Sequence, residues 1–284
     1  MQAIIILAAG EISVQPNSLW PSQSWFTNSF IFTVIVTILI VVGARAATRK
    51  MDLVPSGAQN LIEALVETLH ATFENIVGRH MIAKVFPVIA TLFIFICAAN
   101  WFGLVPGVGT IGFGKPGPGF LSLSEIDHPL FRPANADLNM TLGMAVMFMI
   151  LWLFWTLRDV GLLGLIKEIF GPKGEVKGAL GPFLVVIFLF VGLIEVLSIL
   201  LRPVSLSLRL FGNIFAGETL LHTMTNLGGA LPIPLNWITS VLFPLPFFFL
   251  ELLVGVLQAL VFSALCGVYI RLSTSHAEPG GAGH

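Results

Sequence analysis

Five stretches of this sequence are each long and apolar enough to cross a lipid bilayer, and they leave little else for the chain to fold into. A spanning helix needs about 20 predominantly apolar residues. The first run extends from about Phe26 to Gly43 and ends at Arg45, Arg49 and Lys50. The second runs from about Val85 to Val105 and is closed by Pro106. The third runs from about Leu138 to Leu157 and is stopped by Arg158 and Asp159. The fourth starts after Pro182 and stays apolar to about Leu221, and the last runs from about Trp237 to Ile270. Only 10% of the 284 residues are charged, where a soluble domain carries about 25%. Such a chain cannot cover a water-exposed fold with polar surface, so its solvent is lipid. The expected fold is an all-α integral membrane protein, with residues 1–25 as an external segment and residues 26–284 as one transmembrane domain.

Several functions are excluded by what the chain carries. A net charge of −1 gives no basic footprint for nucleic acid. Cys97 and Cys266 sit in apolar runs, form no disulfide framework or metal-ligand spacing, and read as small core residues. No metal or cofactor is expected. The apolar run Ala3 to Ala9 is too short to span and no Lys or Arg precedes it, so it does not read as a secretory leader. The run Gly109-Thr-Ile-Gly-Phe-Gly114-Lys115 approaches a phosphate-binding loop. Pro116 follows where Ser or Thr would be needed for magnesium. No HExxH motif or Gly-x-Ser-x-Gly elbow is present, so intramembrane hydrolysis has no support.

The fourth run is about 40 residues, roughly 60 Å of helix, longer than a perpendicular crossing requires. It either lies steeply tilted or breaks near Pro203. Between the first two runs, Ser56 to Arg79 has Leu61, Ile62, Leu65, Val66, Leu69 and Phe73 at three- and four-residue spacing. Glu63, Glu67, His70 and Glu74 occupy another face. This is an amphipathic helix for the interface or for another subunit. Basic residues set the sidedness. Arg45, Arg49, Lys50, Arg79 and Lys84, then Arg158, Lys167, Lys173 and Lys177, then Arg271 fall on one side; only Lys115 and Arg132 fall on the other. The N-terminus is therefore expected outside and the C-terminus inside, with five crossings.

Arg209 is the most informative residue, because it lies inside an apolar run with no chain end within reach. An arginine at the centre of a spanning helix costs about 2.5–3.5 kcal/mol and keeps its charge. At about 100° per residue, Ser205 and Asn213 share its face. Arg202 and Glu195 lie within about 40° of that face, and Glu218 points about 180° away, with His222 one turn beyond it. A cationic face and a separate acidic face suit a helix that lines two polar paths. In the last run Glu251 and Gln258 share a face. Gly228, Gly229, Pro232 and Pro234 can turn the chain between the two runs. One antiparallel register then sets Gln258 beside Arg209 and Glu251 beside Glu218, where two buried carboxyls could share a proton.

The run Arg202-Pro-Val-Ser-Leu-Ser-Leu-Arg209-Leu-Phe-Gly-Asn213, followed by Ala216-Gly-Glu218, resembles the signature of the a subunit of F-type ATP synthases. The likeness is specific over residues 195–218. It extends more loosely to Asn100-Trp-Phe-Gly-Leu-Val-Pro106, to Ala136-Asp137-Leu-Asn139 and to the final run. The resemblance implies a non-catalytic, proton-translocating subunit of the membrane F0 sector, in a cell inner membrane. Its partners would be the ring of c subunits, the subunit b stalk, the F1 sector and the lipid bilayer. Arg209 would be the essential arginine facing the ring carboxylate. Asn213, Glu218, Glu251 and Gln258 would line an outer half-channel, and Glu195 and Ser205 an inner one. Some members of the family carry a His at the position of Glu218 or Glu251. Both are Glu here, and His222 is the candidate imidazole, which leaves the order of the relay open. The alternative is a polytopic secondary transporter for a small solute, which would favour an inverted repeat. No corresponding pair of segments is found.

Overall fold

Helix ends fall where short polar side chains or glycines can satisfy the chain. In the computed structural model, which describes residues 27–49, 51–105, 108, 112–116, 123–171, 181–229 and 236–274, Thr27 caps α1 (Asn28–Ala47) by accepting from the Phe30 N–H at 3.3 Å. The external segment expected at residues 1–25 lies outside the described residues. The helix α2 (Ala58–Val77) stops at Gly78, whose φ of 92° suits a residue without a Cβ. There α3 (Arg79–Gly103) begins. Asp137 caps α4 (Leu138–Asp159) by accepting from the Asn139 N–H at 2.9 Å. Gly161, at φ 77°, turns the chain into α5 (Leu162–Phe170).

Next come α6 (Gly181–Gly229), α7 (Asn236–Leu242) and α8 (Leu245–Thr274). Among the described residues, five helical spans are long and apolar enough to cross a membrane: Asn28–Ala47, Arg79–Gly103, Leu138–Asp159, Val186–Gly228 and Ile238–Thr274. The all-α membrane architecture expected from the apolar runs is the observed one. Of the two forms open to the fourth run, the unbroken one is found. α6 is one helix of 49 residues with Pro203 inside it. At about 1.5 Å per residue it is roughly 70 Å long, against a hydrocarbon core of about 30 Å, so it crosses obliquely. The last run divides instead, at a turn over Phe243 and Pro244, where the proline nitrogen has no hydrogen to donate. The Gly- and Pro-rich loop before α4 adds a small antiparallel hairpin, β1 (Gly112–Pro116) and β2 (Leu123–Pro129). Of the near-miss phosphate loop, residues 109–111 lie outside the described residues, and Gly112 to Lys115 belong to β1.

One apolar core joins α2, α3, α4, α6 and α8. Phe73, Ile96, Phe148 and Phe262 are fully buried in it. Leu206, Leu210 and Ile214 enter it from one face of α6, while Leu193, Leu197, Leu200, Val204 and Leu208 leave the other face exposed. The amphipathic α2 is used in the same divided way. Leu69, Phe73 and Val77 pack against the bundle, and Leu61, Leu65 and Val66 remain exposed.

Polar contacts fix the two ends of the bundle. At one end Lys84 of α3 pairs with Asp159 of α4 at 3.3 Å. Arg271 of α8 donates to the carbonyls of Asn75 and Ile76, both at 3.3 Å, meeting the negative end of α2. At the other end, Asn135 donates to Asn100 Oδ1 at 2.6 Å and Trp101 donates to the Leu252 carbonyl at 3.2 Å.

The seam between α8 and α2 depends on Gly267. A Cβ there would stand 3.0 Å from Val77 Cγ2 and 3.1 Å from Ile76 Cγ2. Gly267→Leu is expected to cost about 1–3 kcal/mol by overpacking, read as a lower melting temperature of the detergent-purified protein. Gly43→Leu should melt unchanged, since nothing lies within 4 Å of a Cβ at Gly43.

Candidate functional site

The unbroken α6 keeps its polar residues in strict helical phase, so Ser205, Arg209 and Asn213 follow one another along one side. All three are exposed in the isolated chain. Among the described residues Arg209 makes no hydrogen bond or ion pair with its own chain. A charge that hydrocarbon penalises is thus presented outward, beside the exposed apolar stripe of α6.

Next to it α8 brings in two polar side chains that the rest of the bundle buries. Asn213 Nδ2 donates to Gln258 Oε1 at 2.8 Å, and Gln258 is only 5% exposed. Glu251, two turns earlier on α8, is 6% exposed. Its carboxyl lies directly against Gly217, where any Cβ would overlap it. Glu218 follows immediately, with Oε2 buried and unpartnered among the described residues. Arg132, buried in the loop before α4, is near enough to act electrostatically on Glu218. One turn beyond, His222 Nδ1 lies 3.3 Å from Asn226 Nδ2, and its Nε2 is buried without a partner. A buried polar atom without a partner costs about 1–3 kcal/mol. Glu218 Oε2, His222 Nε2 and Gln258 Nε2 are all of this kind. Of the three side chains, those of Glu218 and His222 can take up and release a proton, and that of Gln258 offers only hydrogen bonds.

The antiparallel register expected between α6 and α8 resolves into particular contacts. Gln258 hydrogen-bonds Asn213, one helical turn along α6 from Arg209. Glu251 lies against Gly217, the residue next to Glu218, and no hydrogen bond joins the two carboxyls among the described residues. Gly217 makes that contact possible. Without a side chain it is where α8 can approach α6, and the carboxyl of Glu251 fills the space. Arg202 also parts from Arg209. Although close in angle around α6, it is turned inward, where its Nη2 donates to Glu195 Oε1 at 3.2 Å. Ser205 stays on the exposed side.

Residues that helical phase alone did not single out complete the seam. Asn100 of α3 donates to the Gly255 carbonyl at 3.0 Å and accepts from Asn135, which pins α8 between Glu251 and Gln258. A Cβ at Gly255 would stand 3.0 Å from Asn100 Cβ. The sequence signal was a glycine in each of two apolar helices beside a lone polar residue.

Residues 28–271 match the model of the family described as ATP synthase A chain. The chain belongs to that family. It is 31% identical over 246 residues to ATP synthase subunit a of Protochlamydia amoebophila, covering 86% of this chain and 79% of the relative. To the subunit a of Moorella thermoacetica it is 33% identical over 243 residues, covering 86% and 88%. To that of Aliarcobacter butzleri it is 32% identical over 248 residues, covering 87% and 88%. Membership displaces the solute-transporter alternative and makes the chain a multi-pass membrane component of an ATP synthase.

Gly217→Ala should push the Glu251 carboxyl out of its place. A misplacement of about 1 Å at a reacting group can cost about a hundredfold. ATP-driven proton pumping in vesicles carrying the assembled complex is therefore expected to fall at least tenfold. Gly43→Ala in α1, with nothing within 4 Å of its Cβ, should pump normally.

Proposed function

We propose that this chain is the proton-conducting stator subunit of the F0 sector, and that it loads and unloads carboxylates on a rotating ring of c subunits. The observation that carries the reading is Arg209, exposed on the open side of α6 with no anion from its own chain among the described residues. A guanidinium inside a membrane needs an anion, and a passing ring carboxylate supplies one. The apolar stripe of α6 beside it suits ring helices.

In this mechanism a proton enters from outside along Glu218, His222 and Glu251, then passes Gln258 and Asn213 to a ring carboxylate. The neutral site can turn through lipid, where the ionised form would be costly. After nearly a full turn it releases its proton to an inner path at Ser205 and Glu195. The ionised carboxylate then meets Arg209. Because the guanidinium does not deprotonate under working conditions, it closes the direct route between the two paths. The N-terminus lies outside and the C-terminus inside, in a cell inner membrane, with the subunit b stalk and the F1 sector as the other partners. The subunit conducts protons, and the chemistry of ATP belongs to F1.

Purified complex carrying Arg209→Ala, reconstituted in liposomes under an imposed proton gradient, should make no ATP above background while still assembling with its ring. Coupled synthesis at the unmodified rate would refute the reading.

A further inference from the structure

Arg202 places a second positive charge on α6, two turns before Arg209, and its surroundings differ in kind. Besides the 3.2 Å hydrogen bond to Glu195, its guanidinium lies 4.8 Å from the centre of the Tyr269 ring and 5.9 Å from that of Trp152. Aromatic faces attract cations within about 6 Å. The rings are themselves held. The Trp152 indole N–H donates to the Tyr269 carbonyl at 3.1 Å and to Ser273 Oγ at 2.9 Å, and Trp152 is 3% exposed. Arg202 is therefore fixed from two neighbouring helices, α4 and α8.

The ion pair is asymmetric. The Arg202 side chain is 13% exposed and that of Glu195 is 39% exposed. The cation sits inside, gripped by the rings, and the carboxylate sits at the rim of α6, about 40° around the helix from Arg209. Two other charged groups at this end are engaged elsewhere, Asp159 with Lys84 and Arg271 with the end of α2.

We propose that Arg202 is a positioning residue of the inner path: an immobile cation that holds the Glu195 carboxylate on the open side of α6, where it receives the proton leaving the ring. The ring carboxyl gives up its proton to Glu195, Glu195 passes it to water on the inner side, and the ring carboxylate is left charged for Arg209. This rests on the reading of the chain as the F0 stator subunit.

The test uses vesicles carrying the whole complex, with ATP-driven pumping read by a pH-sensitive dye and assembly read by immunoblot. Because the two side chains act as a pair, Arg202→Gln should lower pumping about fivefold at unchanged assembly. Arg202→Lys, which keeps the charge, should restore most of it. The double variant Arg202→Gln with Glu195→Gln should pump no worse than Glu195→Gln alone. Normal pumping by Arg202→Gln, no rescue by Lys, or losses that multiply in the double variant would each overturn the proposal. If Arg202→Gln does not assemble, Tyr269→Leu decides: a partial loss restored by Tyr269→Phe supports the role, and normal pumping overturns it. Arg209→Gln in the same vesicles separates the two readings. If it pumps normally, the stator reading itself fails. If it is inactive while Arg202→Gln pumps normally, only the role of Arg202 fails.

Discussion

A guanidinium cannot shed its charge, and hydrocarbon tolerates that charge only beside an anion, a ring face or water. Most of what is distinctive in this subunit answers that constraint. α6 carries two arginines seven residues apart and treats them in opposite ways. Arg202 is supplied with everything it needs by its own chain: Glu195, Tyr269 and Trp152. Arg209 is supplied with nothing of the kind among the described residues and faces outward. The first is a finished interaction and the second an unfinished one. The proposed function, binding a partner's carboxylate and then letting it go, has use for the second kind.

The unfinished arginine requires a rigid support, and the packing of α6 provides it. Leu206, Leu210 and Ile214 anchor the helix to the core on one face, leaving the other for a partner. α8 can lie close alongside because glycines stand at the contact points. Gly217 receives the Glu251 carboxyl, and Gly255 receives Asn100. Polar groups in such a seam are kept where apolar packing would otherwise be cheaper. The proposed function uses that seam as the outer route for protons.

Helical phase was the most reliable guide in reading the chain. Apolar length had located the spans; phase grouped Ser205, Arg209 and Asn213 and separated Glu218 from them. It was less reliable between helices. It set Gln258 against Arg209, whereas the hydrogen bond is to Asn213. Register between two helices depends on which residues are small enough to allow close approach. The same limit hid Asn100, whose partners lie 155 and 35 residues away along the chain. Phase around α6 also grouped Arg202 with Arg209, because angle says nothing of what a neighbouring helix offers.

The sequence by itself determined that this chain lives in lipid, how many helices cross, and which charge could not be left unexplained. Those properties follow from local apolar length and from the solvation of single residues. Only the tertiary structure decided that α6 continues through Pro203, that the last apolar run divides at Pro244 into α7 and α8, and which arginine is satisfied within the chain. These depend on contacts between helices distant in sequence, where a missing Cβ or an aromatic face changes what a charge can reach.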